Sequence, residues 1–88
     1  MPDPELLQEA RDSIETARER MDGDIADRLA SIGDRLESAI EADRTLDHGT
    51  LARLQNSLSE IAETVEDAEP IDVARERLSR YREDVEGV

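Results

Sequence analysis

The chain has 88 residues, a formal net charge of −13 and no cysteine, with 36% hydrophobic, 40% charged and 1% aromatic residues. That length allows one domain with a modest core, and the missing cysteine excludes disulfides, thiolate chemistry and sulfur-ligated metals. Leu, Ile and Val number 9, 6 and 4 and must supply nearly all the burial, so their spacing decides whether the chain folds.

The N-terminal MPDPELLQEA has neither the basic start nor the apolar run of a signal peptide. In the first segment Leu7, Ala10, Ile14, Ala17 and Met21 recur at steps of 3, 4, 3 and 4, the seam of a helix packed on other helices. Asp3 can cap it, with Pro4 at the first helical position and Glu5 in the first turn. Asp22-Gly23-Asp24 breaks the pattern. Gly23 suits a left-handed residue beyond a helix end, and Asp24 is placed to cap the next helix, with Asp27 three residues on.

The second seam is Ile25, Leu29, Ile32, Leu36, Ala39 and Ile40. The steps from Met21 to Ile25 to Leu29 are four and four, so one continuous helix would let the seam slip, which favours a turn at Gly23. DRTLDHG, residues 43–49, is a connection. Asp47 is a cap for the third helix, and Leu46 and Leu51 are placed as a hydrophobic staple across it. The third seam runs Leu51, Leu54, Leu58, Ile61, Val65 and Ala68. Pro70 cannot continue that helix but can start another, and Ile71, Ala74, Leu78, Tyr81 and Val85 form the fourth seam.

These stripes predict an all-α protein with one helical domain over residues 1–88 and helices of about 4–22, 25–43, 48–67 and 70–86. Short links favour an antiparallel up-down-up-down four-helix bundle. The alternative is a helical hairpin, with the first two helices fused, that dimerises into the same core. No segment alternates with period two, so no strand is expected. No stretch approaches roughly eighteen consecutive apolar residues, so no membrane span is expected and the localisation reads as cytoplasmic.

MPDPELLQEARDSIE, DHGTLARLQNSLSEI and the closing RYREDVEGV resemble a family of small, acidic, helical haloarchaeal proteins of unknown function. The resemblance covers most of the chain and is weakest around Gly23 and Pro70. It implies a halophilic archaeal cytoplasm and a helical fold, and it carries no activity and no functional residue. The composition points the same way. There are 24 acidic residues against 11 basic ones, and every basic residue is Arg. Such a charge opposes compaction at low ionic strength, and concentrated salt, with a Debye length of about 3 Å at 1 M, removes most of that repulsion. K+ and other cations are expected to condense on the acidic surface.

Against this charge VARERLSRYRE, residues 73–83, holds four arginines. On a helical wheel Arg75 and Arg82 fall to one side of the core face, Arg77 to the other, and Arg80 outward. A nucleic-acid helix would gather them into one stripe. The dispersal suits bundle-edge residues whose stems cover apolar surface and whose heads reach carboxylates. Arg75, Arg77, Arg80 and Arg82 remain the contact set for the alternative reading, a small nucleic-acid-associated regulator.

Other chemistry has little support in the sequence. His48, the single histidine, has only Asp43 and Asp47 nearby, a poor divalent-metal set. Asp22, Asp24 and Asp27 do not follow the spacing of a calcium-binding loop. There is no Gly-rich phosphate loop and no serine nucleophile with a histidine plausibly near it, and a core of Leu, Ile and Ala leaves little room for a pocket. The expectation is a non-enzymatic protein with no metal, cofactor or catalytic residue.

The third helix differs from the others. Through residues 50–64 only Arg53, Glu60 and Glu63 are charged among fifteen positions, and the flanks of its seam are neutral. Interface cores are depleted of charge, and small neutral flanks let another helix approach. Gln55, Ser59 and Ala62 are therefore the candidate interface, for an unknown protein partner or for a homo-oligomer. A second explanation is that this helix is the most buried of the four.

Overall fold

The computed structural model describes residues 3–86, in four α-helices with no strand among those residues: α1 (Pro4–Glu19), α2 (Gly23–Glu41), α3 (His48–Thr64) and α4 (Glu69–Glu86). Of the domain expected over 1–88, positions 1, 2, 87 and 88 lie outside the described residues.

α1 starts as its sequence dictates. The Glu5 N–H donates to Asp3 Oδ1 at 2.9 Å, and Pro4 fills a position where no backbone donor is needed. The spacing carries α1 to residue 22, but the helix stops at Glu19. The seam nevertheless continues, because Met21, already outside the helix, packs against the core. Gly23 has φ +68°, the left-handed value that glycine adopts at little cost, so α1 and α2 are separate helices. α2 starts two residues earlier than the spacing indicates. Asp22, whose side chain makes no capping bond, takes the N-cap, and Asp24 falls in the first turn, where its charge favours the positive helix end.

α2 ends in a Schellman motif. The Asp43 N–H donates to Ile40 O at 3.2 Å and the Arg44 N–H to Ala39 O at 3.0 Å, with Asp43 itself at φ +54°. At α3 the Thr50 N–H donates to Asp47 Oδ1 at 2.6 Å, and Leu46 and Leu51 both join the core across that cap. α3 ends at Thr64, short of the expected residue 67. Val65 turns extended, which keeps its side chain against the core while the chain reverses. α4 begins at Glu69, whose N–H donates to Asp67 Oδ1 at 3.3 Å, and Pro70 is accommodated in its first turn.

The four seams meet in one core. Its buried members include Leu7, Ile14, Leu29, Leu36, Leu51, Leu58, Ile61, Ile71 and Leu78, and no polar or charged residue is buried among the described residues. Leu54 and Tyr81, the seam positions most informative about helix rotation, are 4% and 2% exposed. Each such side chain contributes about 1.5–3 kcal/mol relative to exposure, so the interior, not helix propensity, holds the fold together. One chain closes this core by itself in an antiparallel four-helix bundle of 37 × 23 × 19 Å, without the fused hairpin of the alternative arrangement.

The helices are not evenly paired. α1 packs closely on α2 and on α4, and α4 packs closely on α3. α2 and α3, consecutive in the chain, are not among the closely packed pairs. The bundle is therefore open along one seam, and a groove runs there.

Candidate functional site

The interface residues proposed from sequence lie on α3 and are all half-buried. Gln55 is a hinge of polar contact with α4. Its Nε2 donates to Ser79 Oγ at 2.8 Å, and its Oε1 accepts from Arg82 Nη1 at 3.0 Å. Gln55 and Ser59 line a shallow depression of about 590 Å³ between α3 and α4, together with Ala52, Asn56 and Ser79. Ala62 is not part of that lining and instead packs on the core's edge. The structure thus brings Gln55 and Ser59 into one groove and sets Ala62 one turn further along the helix.

The arginines of α4 diverge. Arg75 pairs with Asp72 at 3.3 Å and Arg82 reaches Gln55 and His48 on α3. Arg77 reaches Glu9 of α1 at 3.2 Å and also contacts Glu76, while Arg80 points outward with Glu76 3.7 Å away. The four follow the sides assigned by the helical wheel and share no common face.

His48 sits at the start of α3 with its Nε2 2.9 Å from Arg82 Nη2. A guanidinium can only donate, so Nε2 accepts. No group of three His, Asp or Glu side chains that could hold a metal ion occurs among the described residues. Asp47, next to His48, has its carboxyl held below the ordinary range, first because the Thr50 N–H donates to it and, more weakly, because Arg53 lies near.

The open seam between α2 and α3 holds the arrangement that the sequence reading missed. A cleft of about 410 Å³ is lined by Arg28, Ser31, Ile32 and Arg35 from α2 and by Arg53, Leu54, Asn56 and Ser57 from α3. It shares Ser31 and Arg35 with a second cleft of about 430 Å³, bounded by Asp34, Ser38, the 44–47 connection and Thr50. Arg28 spans the seam to Glu60 at 3.0 Å. The wheel places Arg28 and Arg35 on one flank of α2, a visible signal. Nothing in the sequence reveals that α2 and α3 stand apart and leave that flank open.

The arginine pairing follows the same division. Arg11, Arg18, Arg20, Arg28, Arg75, Arg77 and Arg80 each meet a carboxylate, and Arg82 meets Gln55 and His48. Arg35, Arg44 and Arg53 make no ion pair among the described residues, and all three line the α2–α3 groove.

Residues 3–84 match the model of a family described as Family of unknown function (DUF7553). No curated protein and no solved structure matches the chain.

Proposed function

The chain belongs to that family of unknown function, and we propose that it is a non-enzymatic helical module that acts through protein–protein contact, in the first instance by self-association along α3. One observation carries this reading. α3 packs closely on α4 alone, yet it is the helix with the fewest charges on its flanks. Burial inside the bundle therefore leaves that neutrality unexplained, while a contact outside the bundle explains it, since charge depletion marks the centres of interfaces. The contact face runs along Gln55, Ser59 and Ala62. The composition of the interior fits a contact module: the buried positions are all hydrophobic among the described residues, and the hydroxyl of buried Tyr81 is engaged by the Leu46 N–H.

The setting we propose is a haloarchaeal cytoplasm, with K+ and other cations condensed on the surface. The support is an acidic excess of 24 against 11, the use of Arg alone as the basic residue, and the sequence resemblance described above. No helix among the described residues is long and apolar enough to cross a membrane. Nucleic-acid binding through α4 has less support, since its arginines diverge and are engaged with neighbouring groups.

Multi-angle light scattering in concentrated KCl tests self-association. Wild type is expected as an oligomer, and Ser59→Glu and Ala62→Glu as monomers with unchanged helical circular dichroism. Ser59 lines a surface depression, so its substitution does not disturb the core. A monomeric wild type, or variants that remain associated, would overturn the reading.

A further inference from the structure

We propose that the groove between α2 and α3 binds an acidic helical segment of a partner protein, whose carboxylates are received by Arg35 and Arg53. This rests on the reading of the protein as a contact module, but it uses the flank of α3 opposite Gln55 and Ser59.

Arginines without an ion pair among the described residues gather at this groove. In a chain with 24 carboxylates for 11 arginines, most guanidinium groups find an anionic neighbour, and the exceptions would scatter if chance placed them. Arg35, Arg44 and Arg53 come from α2, the connection and α3, yet they border one groove. No carboxylate lines the cleft at Arg28, Arg35 and Arg53, which is otherwise edged by Ser31, Asn56 and Ser57. Its lining is rich in hydrogen-bond donors, and a guanidinium matches a carboxylate with two parallel bonds.

The seam itself contains a contact of the proposed kind. At one point along the seam the gap is already bridged by an arginine and a carboxylate, Arg28 and Glu60, at 3.0 Å. Arg35 lies seven residues on along the same flank, about 10.5 Å at 1.5 Å per residue, with no counterpart on α3. Carboxylates brought by an occupant would repeat the Arg28–Glu60 contact at that level.

Geometry then selects the occupant. The groove runs between two helices and is floored by Ile32 and Leu54, which are only 5% and 4% exposed, so little apolar surface remains to be gained. Charge and hydrogen bonding must supply the selectivity. A helix presents carboxylates spaced three and four residues apart on one face, so a single row of them can meet Arg35 and Arg53 together. A nucleic-acid strand would carry its phosphates beyond the groove onto Asp27, Asp34 and Glu63, which are exposed on the same two helices. Asp34 and Asp47 border the connection end, and Asp47 is engaged with the Thr50 N–H. The occupant's carboxylates therefore belong at the Arg35–Arg53 end.

The experiment is fluorescence anisotropy on the full chain, at the lowest KCl concentration at which circular dichroism shows it fully helical. The probes are a labelled Glu/Ala/Leu helical peptide, the same peptide with Gln for Glu, and a labelled single-stranded DNA of equal length. The Glu peptide is expected to bind at least about tenfold more tightly than the Gln peptide, since charge-assisted pairs carry the contact. Arg35→Gln with Arg53→Gln should weaken the Glu peptide about tenfold, while Arg80→Gln, which sits on the outer side of α4, should change it less than about twofold. Neither Arg35 nor Arg53 holds an ion pair among the described residues, and Arg53 acts on the Asp47 cap only through space, so circular dichroism should match wild type and the thermal midpoint should change little. The proposal fails if neither peptide binds, if both bind equally, or if Arg80→Gln weakens binding as much as the groove variant. Tighter binding of the DNA overturns it in favour of nucleic acid. Dissociation of an oligomer by the groove variant alone overturns it in favour of a second copy. The Ser59→Glu and Ala62→Glu results bear on the opposite flank, so the two readings can fail separately.

Discussion

The hydroxyl of Tyr81, on the buried face of α4, accepts a hydrogen bond from the Leu46 backbone N–H at 3.3 Å. The single aromatic of the chain thus fixes the connection between α2 and α3, the two helices that do not otherwise pack closely. Tyr81→Phe keeps the ring in the core and leaves the Leu46 N–H without this partner. It should cost about 0.5–1.5 kcal/mol in chemical denaturation. Amide exchange at Leu46 should accelerate more than exchange at Leu58. A loss confined to global stability, with Leu46 exchange unchanged, would show that the hydroxyl does not hold the connection.

Most of the fold was legible because burial here has one source. The three-and-four recurrence of Leu, Ile and Ala fixed the inward face of each helix, and Leu54, Leu58, Leu78 and Tyr81 all lie in the core as their spacing requires. Helix ends were harder to read. Met21 and Val65 keep the spacing of a seam after the helix has stopped, since a residue just past a helix end can still reach the core. The dispersal of the α4 arginines followed from the wheel. The α2–α3 groove did not, because periodicity gives the direction of a side chain and says nothing of the distance between two helices. Arg53 stands in the sequence only as one of three charges on the third helix, and its position beside Arg35 depends on the gap between their helices.

The glycines of α2 should respond in opposite directions. Gly23 has φ +68° with nothing within 4 Å of an added Cβ, so Gly23→Ala meets no clash and the cost is backbone strain alone. That strain is about 1–2 kcal/mol. Gly33 lies within the helix, where an added Cβ would meet Ile14 Cγ2 at 3.7 Å, an ordinary contact. Gly33→Ala should therefore stabilise by about 0.5–1 kcal/mol. Urea midpoints of the two variants measure both effects, and equal signs would contradict this backbone assignment.

Asp43 occupies a position that glycine would fill with less strain. It takes φ +54° while the Schellman bonds of Asp43 and Arg44 close α2. Asp43→Gly should keep both bonds and raise stability by up to about 1 kcal/mol. Asp43→Val should lower stability, because a β-branched residue fits the left-handed region poorly. A destabilised glycine variant would indicate that the Asp43 side chain contributes more than its backbone costs.

Asp47 gives the bundle an acid-sensitive cap. Bonding from the Thr50 N–H holds its carboxyl below the ordinary value of 3.8 in the folded chain. The unfolded chain therefore binds a proton more readily than the folded one. The stabilisation is complete above that ordinary value and is lost as pH falls through the lower folded value. Asp47→Asn keeps an acceptor at the cap but cannot titrate. The wild-type advantage over Asp47→Asn in thermal midpoint should be constant near neutrality and shrink as pH falls below about 3.8. An advantage that persists undiminished into strong acid would remove Asp47 as its source.

Salt sets two electrostatic effects against each other. Ion pairs such as Arg11–Glu37 at 2.9 Å and Arg77–Glu9 at 3.2 Å join helices and are weakened by screening. Their arginines are only half-buried, however, and pairs that keep this much contact with water contribute about 0–1 kcal/mol each. The opposing repulsion comes from a net charge of −13 on a body only 19–23 Å across its two shorter axes. At 0.1 M salt the Debye length is about 10 Å, so carboxylates on adjoining faces interact, and at 1 M it is about 3 Å and they do not. Relief of repulsion should exceed the loss of pairs, and the thermal midpoint should rise with KCl, most steeply below 1 M, where most of the screening develops. A continued, shallower rise above that concentration would reflect exclusion of salt from the protein surface, which a sulfate series should exaggerate and a perchlorate series suppress. A midpoint that falls on adding KCl would mean that the interhelical pairs outweigh the acidic surface, and the proposed adaptation to a saline interior would fall with it.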